Sequence, residues 1–181
     1  MDGNDTFSAA PHTLRDMTGD DAAGGPTFAG MGAASAVREH WDDLVGDMEA
    51  TAAEFEASGW DVLQLHPGDV TAVTGDRWGF DVLVPDDEFE RLRDWVDAGT
   101  FGEHDVYRVE SGIVFALVVL RDESDRRAVC CPLYYDDAAV EGLGELADRQ
   151  GHVYTHVRNL AEEYVTFTHE EPSLFFPDDE A

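Results

Sequence analysis

Three histidines near the end of the chain have the spacing of a metal site. His152, Tyr154 and His156 alternate along a stretch that is predicted to be a β-strand, so their side chains would share one face. Two histidines at this spacing can bind a divalent metal, and His169, which two glutamates follow, could add ligands from the next turn. The alternative is that all three are solvated or core histidines beside the carboxylates of an acidic chain. His152, His156 and His169 are therefore the candidate metal ligands.

Several other catalytic chemistries lack the residues that they need. The chain contains no lysine, because all 11 of its basic residues are arginine. This excludes a P-loop phosphate lysine, a Schiff-base lysine and the lysine of restriction-nuclease sites. The chain also lacks the Gly-x-Ser-x-Gly elbow of serine hydrolases and a Gly-x-Gly-x-x-Gly turn for dinucleotides. No catalytic residue and no resident cofactor are therefore predicted, beyond the divalent metal of the histidine hypothesis.

The two cysteines, Cys130 and Cys131, are adjacent in the sequence. Neighbouring residues on a strand point in opposite directions, so a disulfide between them is not expected. A reactive thiolate would need a nearby histidine or a helix N-terminus to lower its pKa. We expect instead two buried structural thiols in a reducing cytoplasm.

The charge balance is extreme, with 40 acidic and 11 basic residues and a formal net charge of -29. Such charge destabilises a compact state by self-repulsion, which molar salt removes because the Debye length falls to about 3 Å. The composition is typical of a protein from the cytoplasm of a salt-accumulating halophile; the alternative is an acidic protein that binds a basic partner. Nucleic-acid binding, which relies on lysine and arginine, is not expected. Neither a membrane span nor a secretory signal is predicted.

The chain divides by composition into three parts. Residues 1–32 are predicted to be a disordered acidic leader, because they contain few large apolar residues. Residues 33–170 are predicted to form a single α+β domain, and residues 171–181 an aromatic and acidic tail. The length is that of one domain with a sizeable core.

The domain is predicted to hold a lead helix, two β-β-β-α units and a closing β-hairpin, with a mainly antiparallel sheet. The lead helix has one apolar stripe, and its acidic residues, Asp43 and Asp47 among them, should be solvated. The run from Ile113 to Leu120 is apolar on both faces, which indicates a central strand covered on both sides. Matching residues in the two units suggest an internal repeat, although the matches are few and coincidence remains the alternative.

Three short segments carry a resemblance to a known group of proteins. His66–Val70 reads HPGDV, Gly79–Pro85 reads GFDVLVP, and Thr168–Pro177 reads THEEPSLFFP. Together they resemble an uncharacterised haloarchaeal family of small acidic proteins, a domain of unknown function. The resemblance implies a shared architecture and brings no activity or site with it.

Two classes of function remain after these exclusions. The first is a non-catalytic binding or regulatory module of a halophile cytoplasm, which binds an unknown protein partner or forms a homo-oligomer, with the aromatic tail as a contact. The second is a small metal-dependent hydrolase that uses a site of histidines and carboxylates. The repeat, the lack of convergent polar motifs and the missing lysine favour the first class, and the hydrolase stays open as the alternative.

Overall fold

The computed structural model describes residues 34–110 and 113–176, so the predicted leader lies outside the described residues. The described part has three helices, eight strands and a short 3-10 helix at Pro172–Leu174. The helices are α1 (Ala34–Ala57), α2 (Asp86–Ala98) and α3 (Asp137–Gln150). The strands are β1 (Asp61–Gln64), β2 (Asp69–Val73), β3 (Gly79–Leu83), β4 (Glu103–Glu110), β5 (Val114–Asp122), β6 (Arg127–Tyr135), β7 (Val153–Arg158) and β8 (Tyr164–His169). The predicted α+β class is confirmed.

The strands form two mixed sheets of four strands each, where the sequence analysis predicted one mainly antiparallel sheet. Sheet A has the order β1-β6-β5-β4, and sheet B has the order β2-β3-β7-β8. Among the strand pairs of the described residues, β1–β6 and β3–β7 are parallel and the other four are antiparallel. The parallel pairs arise because helix-containing connections bring distant strands together in the same direction.

The two predicted β-β-β-α units are present in the order of elements, but their strands pair differently. In the second unit, β4, β5 and β6 are consecutive antiparallel neighbours in sheet A. In the first unit, β2 pairs with β3 in sheet B, whereas β1 pairs with β6 in sheet A. The first unit therefore contributes to both sheets.

Sheet A is the middle layer of the domain. On one face of this sheet, Phe115 stacks on His40 of α1, and Tyr134 makes an edge contact with Trp41 of the same helix. On the opposite face, Tyr135 packs against Phe80 of sheet B with ring centroids 4.9 Å apart. Strand β5 is consequently buried along nearly its whole length, as its apolar run predicted.

Helix α1 buries the predicted apolar stripe together with two acidic residues that were expected to be solvated. Trp41, Leu44 and Met48 are almost fully buried. Asp43 and Asp47 are also buried, with 6% and 4% of their surfaces exposed. The expectation was wrong for these two residues, because α1 is covered over a wider part of its circumference than its apolar stripe, as the burial of Thr51 also shows.

The aromatic end of the chain is part of the core. Phe175 and Phe176 are buried and pack against Phe80, and the hydroxyl of Tyr135 donates a hydrogen bond to the carbonyl oxygen of Phe175. Their burial follows from the short 3-10 helix, which turns the chain back onto the inner face of sheet B. These two rings are therefore unavailable as the surface contact that the sequence analysis proposed for the tail.

Across residues 34–110 and 113–176, none of the helices has the length and apolar character needed to cross a membrane.

Candidate functional site

One face of sheet B is open and carries aromatic side chains. The inward face of the sheet is covered, because Phe80, Val82 and Val157 are buried there. On the outward face, Thr166 and Thr168 are exposed. We call this outward surface the aromatic face and define it by Arg77, Trp78, His152, Tyr154, His156 and Tyr164.

The rings of the aromatic face touch one another in a continuous row. Trp78 lies 5.2 Å from His152 and 4.9 Å from Tyr154, measured between ring centroids. Tyr154 lies 5.5 Å from His156, which in turn lies 6.4 Å from Tyr164. A cavity of about 290 Å³ opens beside Trp78. The row provides flat, half-buried rings that a ligand could contact.

A glycine allows Tyr154 to lie close to strand β3. Gly79 has a φ of +131°, and a Cβ at this position would lie 2.9 Å from the Cβ of Tyr154. A side chain would therefore push β7 away from β3 as well as straining the backbone. The neighbouring Trp78 keeps its place beside Tyr154 because residue 79 has no side chain.

His152 and His156 share the aromatic face, as their spacing predicted, and both are hydrogen-bonded within it. His156 Nε2 lies 2.9 Å from the carbonyl oxygen of Trp78 and therefore donates, so its Nδ1 accepts from the hydroxyl of Thr166 at 2.9 Å. His152 Nδ1 donates to the carbonyl oxygen of Gln150, and its Nε2 accepts from the hydroxyl of Tyr154. In each ring the lone pair that a metal would need already accepts a hydroxyl proton.

His169, the third candidate ligand, lies on the opposite face of sheet B. It is opposite Val153 in the β7–β8 ladder, and its Nε2 lies 2.8 Å from Oγ1 of Thr155, an inward residue. Sheet B therefore separates His169 from His152 and His156. In the described ranges, 34–110 and 113–176, no three histidine, cysteine or carboxylate side chains form a metal-sized group.

His169 pairs with a histidine that the sequence analysis did not select. Its Nδ1 lies 3.0 Å from Nδ1 of His104, at the start of β4, and the ring centroids are 4.7 Å apart. We call His104 and His169 the histidine pair. It borders a cavity of about 400 Å³ whose lining includes Glu103, Glu170 and Glu171.

Burial keeps three of these histidines uncharged. Desolvation, together with the smaller effect of the nearby His104, lowers the pKa of His169 to about 3. Desolvation also lowers the pKa of His104 and of His156, in each case against the opposing effect of a hydrogen bond to a backbone carbonyl. At neutral pH these rings are therefore neutral imidazoles, each of whose unprotonated nitrogens lies within hydrogen-bond distance of a donor.

A third concave surface is mainly apolar. A cavity of about 500 Å³ is bordered by Leu83, Val84, Pro85 and Leu160, and Leu160 is 84% exposed. At its rim, His66 Nδ1 lies 2.7 Å from Oε2 of Glu88, and this hydrogen bond raises the pKa of His66. The cavity has an apolar floor and an ion pair at its edge.

A comparison with protein-family models places the chain in a family. The model described as a family of unknown function (DUF7529) matches residues 30–177. The chain belongs to this DUF7529 family. The matched region contains the whole aromatic face and the histidine pair, so both are part of the DUF7529 domain rather than of flanking sequence. No curated protein and no solved structure matches the chain.

Sequence reasoning missed two parts of these DUF7529 surfaces. Arg77 and Trp78 were not among the predicted site residues, and no pattern in the sequence distinguishes them from other residues between two strands. His104 was not selected either. Its hydrogen bond with His169 forms only because sheets A and B pack together, and a contact between distant segments cannot be predicted from a local sequence pattern.

Proposed function

We propose that the chain is a non-catalytic binding module that takes a protein partner on the aromatic face. The observation that carries the proposal is the continuous row of rings on an open sheet surface. Tryptophan, tyrosine and arginine are the residues that most often supply the binding energy of protein interfaces. Here Trp78, Tyr154 and Tyr164 lie together, and the guanidinium of Arg77 lies 3.9 Å from the ring centre of Tyr164.

The hydrogen bonds of the aromatic face support binding rather than catalysis. Arg158 pairs with Asp81 across β7 and β3 at 2.9 Å, and His156 is held by Thr166 and Trp78. These bonds fix the rings in one orientation, which reduces the entropy lost when a partner binds. A general base would instead direct its free lone pair towards a substrate.

The charge of the chain defines the chemistry of the partner. A net charge of -29 repels acidic proteins and nucleic acids. Asp76 is exposed beside the aromatic row and Asp81 is partly exposed within it. The partner therefore presents arginine or lysine side chains, which can stack on Trp78 and Tyr154 and pair with these carboxylates.

The proposed setting is the salt-rich, reducing cytoplasm of a halophile. Its support is the composition, in which acidic residues greatly outnumber arginines and lysine is absent. Cys130 and Cys131 are free thiols in the interior of sheet A, and burial raises the pKa of Cys130 to about 12. In molar salt, charge attraction is short-ranged, so the rings supply most of the affinity.

Binding to the aromatic face can be tested with point variants in molar KCl. The immobilised full chain is incubated with extract of the source cells and compared with Trp78→Ser and Tyr164→Ser. Leu160→Ser is the control. It likewise replaces a large apolar side chain at the surface by serine, but Leu160 lies outside the aromatic face. A protein retained by the wild type and by Leu160→Ser, and lost from both face variants, supports the proposal.

Two results would contradict the proposed role of this face. Equal retention by all four proteins would place the contact elsewhere, and loss in Leu160→Ser alone would place it at the apolar cavity. Sedimentation equilibrium of the purified chain tests the homo-oligomer alternative. A dimer that Trp78→Ser dissociates would make a second copy of this chain, rather than a basic protein, the occupant of the face. Circular dichroism melts of each variant check that the fold is intact.

A further inference from the structure

The two rings of the histidine pair direct their Nδ1 atoms towards each other beside an open cavity. His169 is 2% exposed and His104 is half-buried. The Nδ1 atoms are 3.0 Å apart and form a hydrogen bond, in which the N–H of His169 Nδ1 donates to Nδ1 of His104. The rings come from different sheets, His104 from sheet A and His169 from sheet B. Two nitrogens thus converge on one small region at the wall of a cavity of about 400 Å³.

The outer nitrogens of both rings are already held by oxygen atoms. His104 Nε2 donates to the carbonyl oxygen of Phe101 at 3.1 Å, and His169 Nε2 contacts Oγ1 of Thr155 at 2.8 Å. Histidines that bind a metal almost always hold their other nitrogen on such an oxygen, which fixes the ring and its tautomer. His104 already has this arrangement, and His169 acquires it when its proton moves to Nε2 and Thr155 Oγ1 accepts.

The separation of the two Nδ1 atoms fits a shared metal ion. With metal–nitrogen distances of about 2.0–2.1 Å, nitrogens 3.0 Å apart subtend an angle of about 90° at the metal. This is the angle between adjacent ligands of a six-coordinate ion, and a small outward shift of His104 produces the wider angle of a tetrahedral one. A metal ion would replace the proton that the two Nδ1 atoms now share, with a small rotation of the rings, and its remaining positions would face the cavity.

In residues 34–110 and 113–176 no third ligand side chain already lies at coordinating distance, so a further protein ligand has to turn in from the cavity. Glu103, Glu170 and Glu171 border it, and all three are exposed at its mouth. Exposed glutamates can turn towards an ion at small cost, and water completes the coordination. Two imidazoles with carboxylates and water favour Zn²⁺, Mn²⁺ or Co²⁺ over Mg²⁺ or Ca²⁺, which prefer oxygen ligands alone.

We propose that His104 and His169 bind one divalent transition-metal ion through their Nδ1 atoms, with a glutamate of the cavity as a further ligand. The site shares His169 with the set expected from the sequence, but it replaces His152 and His156 with His104. It lies across sheet B from the aromatic face, so it is independent of the proposed binding function.

Calorimetric titration of the metal-free full chain in molar KCl tests the proposal, since such salt suppresses loose binding to the acidic surface. Zn²⁺ and Co²⁺ should each bind at one equivalent, whereas Ca²⁺ should not compete. His104→Ala should weaken binding at least tenfold, and Thr155→Val about 10- to 100-fold through loss of the oxygen that holds His169. The double variant His152→Ala with His156→Ala should bind as the wild type does.

The visible spectrum of Co²⁺ bound to the wild type provides a second measurement, in which imidazole ligands should give absorption that free Co²⁺ lacks. The absorption should shift in His104→Gln and persist in the His152 and His156 double variant, with circular dichroism melts checking that both variants fold. The proposal is overturned if the wild type binds no Zn²⁺ or Co²⁺, if Ca²⁺ displaces them equally, or if His104→Ala binds as tightly as the wild type. Loss of binding only in the double variant would assign the metal to the aromatic face instead.

Discussion

His40 and Phe115 stack with nearly parallel rings, their centroids 5.5 Å apart. The contact joins α1 to the strand that occupies an interior position of sheet A. Phe115 is 1% exposed, so its ring is covered by the helix on one side and surrounded by neighbouring strands. The stability of the layer therefore depends on an apolar side chain at this position.

Phe115→Asp should prevent stable folding. The substitution removes a buried ring and places an unpaired charge in the core, which costs several kcal/mol or more. Leu160→Asp is the matched control, since Leu160 is 84% exposed and its replacement should change the free energy of unfolding by less than about 0.5 kcal/mol. Denaturant melts followed by circular dichroism measure both. A cooperatively melting Phe115→Asp protein would contradict the assignment of this strand to the core.

Stability should rise steeply between low salt and molar KCl. The cause is screening of like charges in a chain with a net charge of -29. A variant in which six exposed carboxylates become amides should be more stable than the wild type in low salt and show a flatter salt dependence. The six positions are Glu54, Glu56, Glu90, Asp97, Glu145 and Asp148. Thermal melts that do not shift with KCl would refute the screening argument.

Asp47→Asn should stabilise the fold at neutral pH. Burial, together with the smaller effects of the nearby carboxylates of Glu54 and Asp43, raises the pKa of Asp47 to about 6. The folded state therefore holds this proton more tightly than the unfolded state, and the free energy of unfolding falls as the pH rises from about 4 to about 6. Asparagine does not titrate, so the variant keeps the stability that the wild type loses. We expect the gain in the free energy of unfolding at neutral pH to be on the order of 1 kcal/mol.

The Asp47→Asn effect should disappear at low pH. Below pH 4, the wild-type carboxyl is protonated in both states and the two proteins should differ little. Glu49→Gln is the control on the same helix, because Glu49 is exposed. Chemical denaturation at several pH values measures each protein. Equal stabilisation by Glu49→Gln would indicate a general charge effect, and no gain at pH 7 would contradict the raised pKa.

Gly79→Ala should destabilise the fold by roughly 2 kcal/mol or more. The backbone at Gly79 has a φ of +131°, and the new methyl group would collide with Tyr154 on the neighbouring strand. Gly75→Ala is the matched control, since open space surrounds that position within 4 Å. It should change the free energy of unfolding by less than about 1 kcal/mol. If the two variants were equally stable in urea melts, a side chain at position 79 would not collide with Tyr154.

Local patterns predicted much of the fold. The apolar run of β5 indicated a strand that is covered on both sides, because every side chain in it had to be buried. The stripe of Trp41, Leu44 and Met48 predicted the buried side of α1, since it recurs with helical periodicity. Strand alternation predicted that His152 and His156 share a face, although it told neither which side of the sheet they face nor whether their nitrogens are free.

Contacts between distant segments could not be predicted from such patterns. The pairing of β1 with β6 and of β3 with β7 depends on the packing of the whole domain. No local sequence pattern indicates such a pairing, so the sequence analysis predicted one sheet where the structure has two. The same reason explains why His104 was not matched with His169. Asp47 was assigned to solvent because carboxylates are seldom buried, yet it is covered together with Asp43 and Thr51, which lie outside the apolar stripe.

The split of the first unit between two sheets has a consequence for how the domain assembles. The hairpins β2–β3, β4–β5–β6 and β7–β8 are local and can form early, but each sheet is completed only by a parallel pair that closes a long loop. A cut in the loop before β4 would leave two fragments, neither of which contains all the strands of a sheet. Those fragments would be unfolded separately and would fold only on mixing, so the domain behaves as one cooperative unit despite its two sheets.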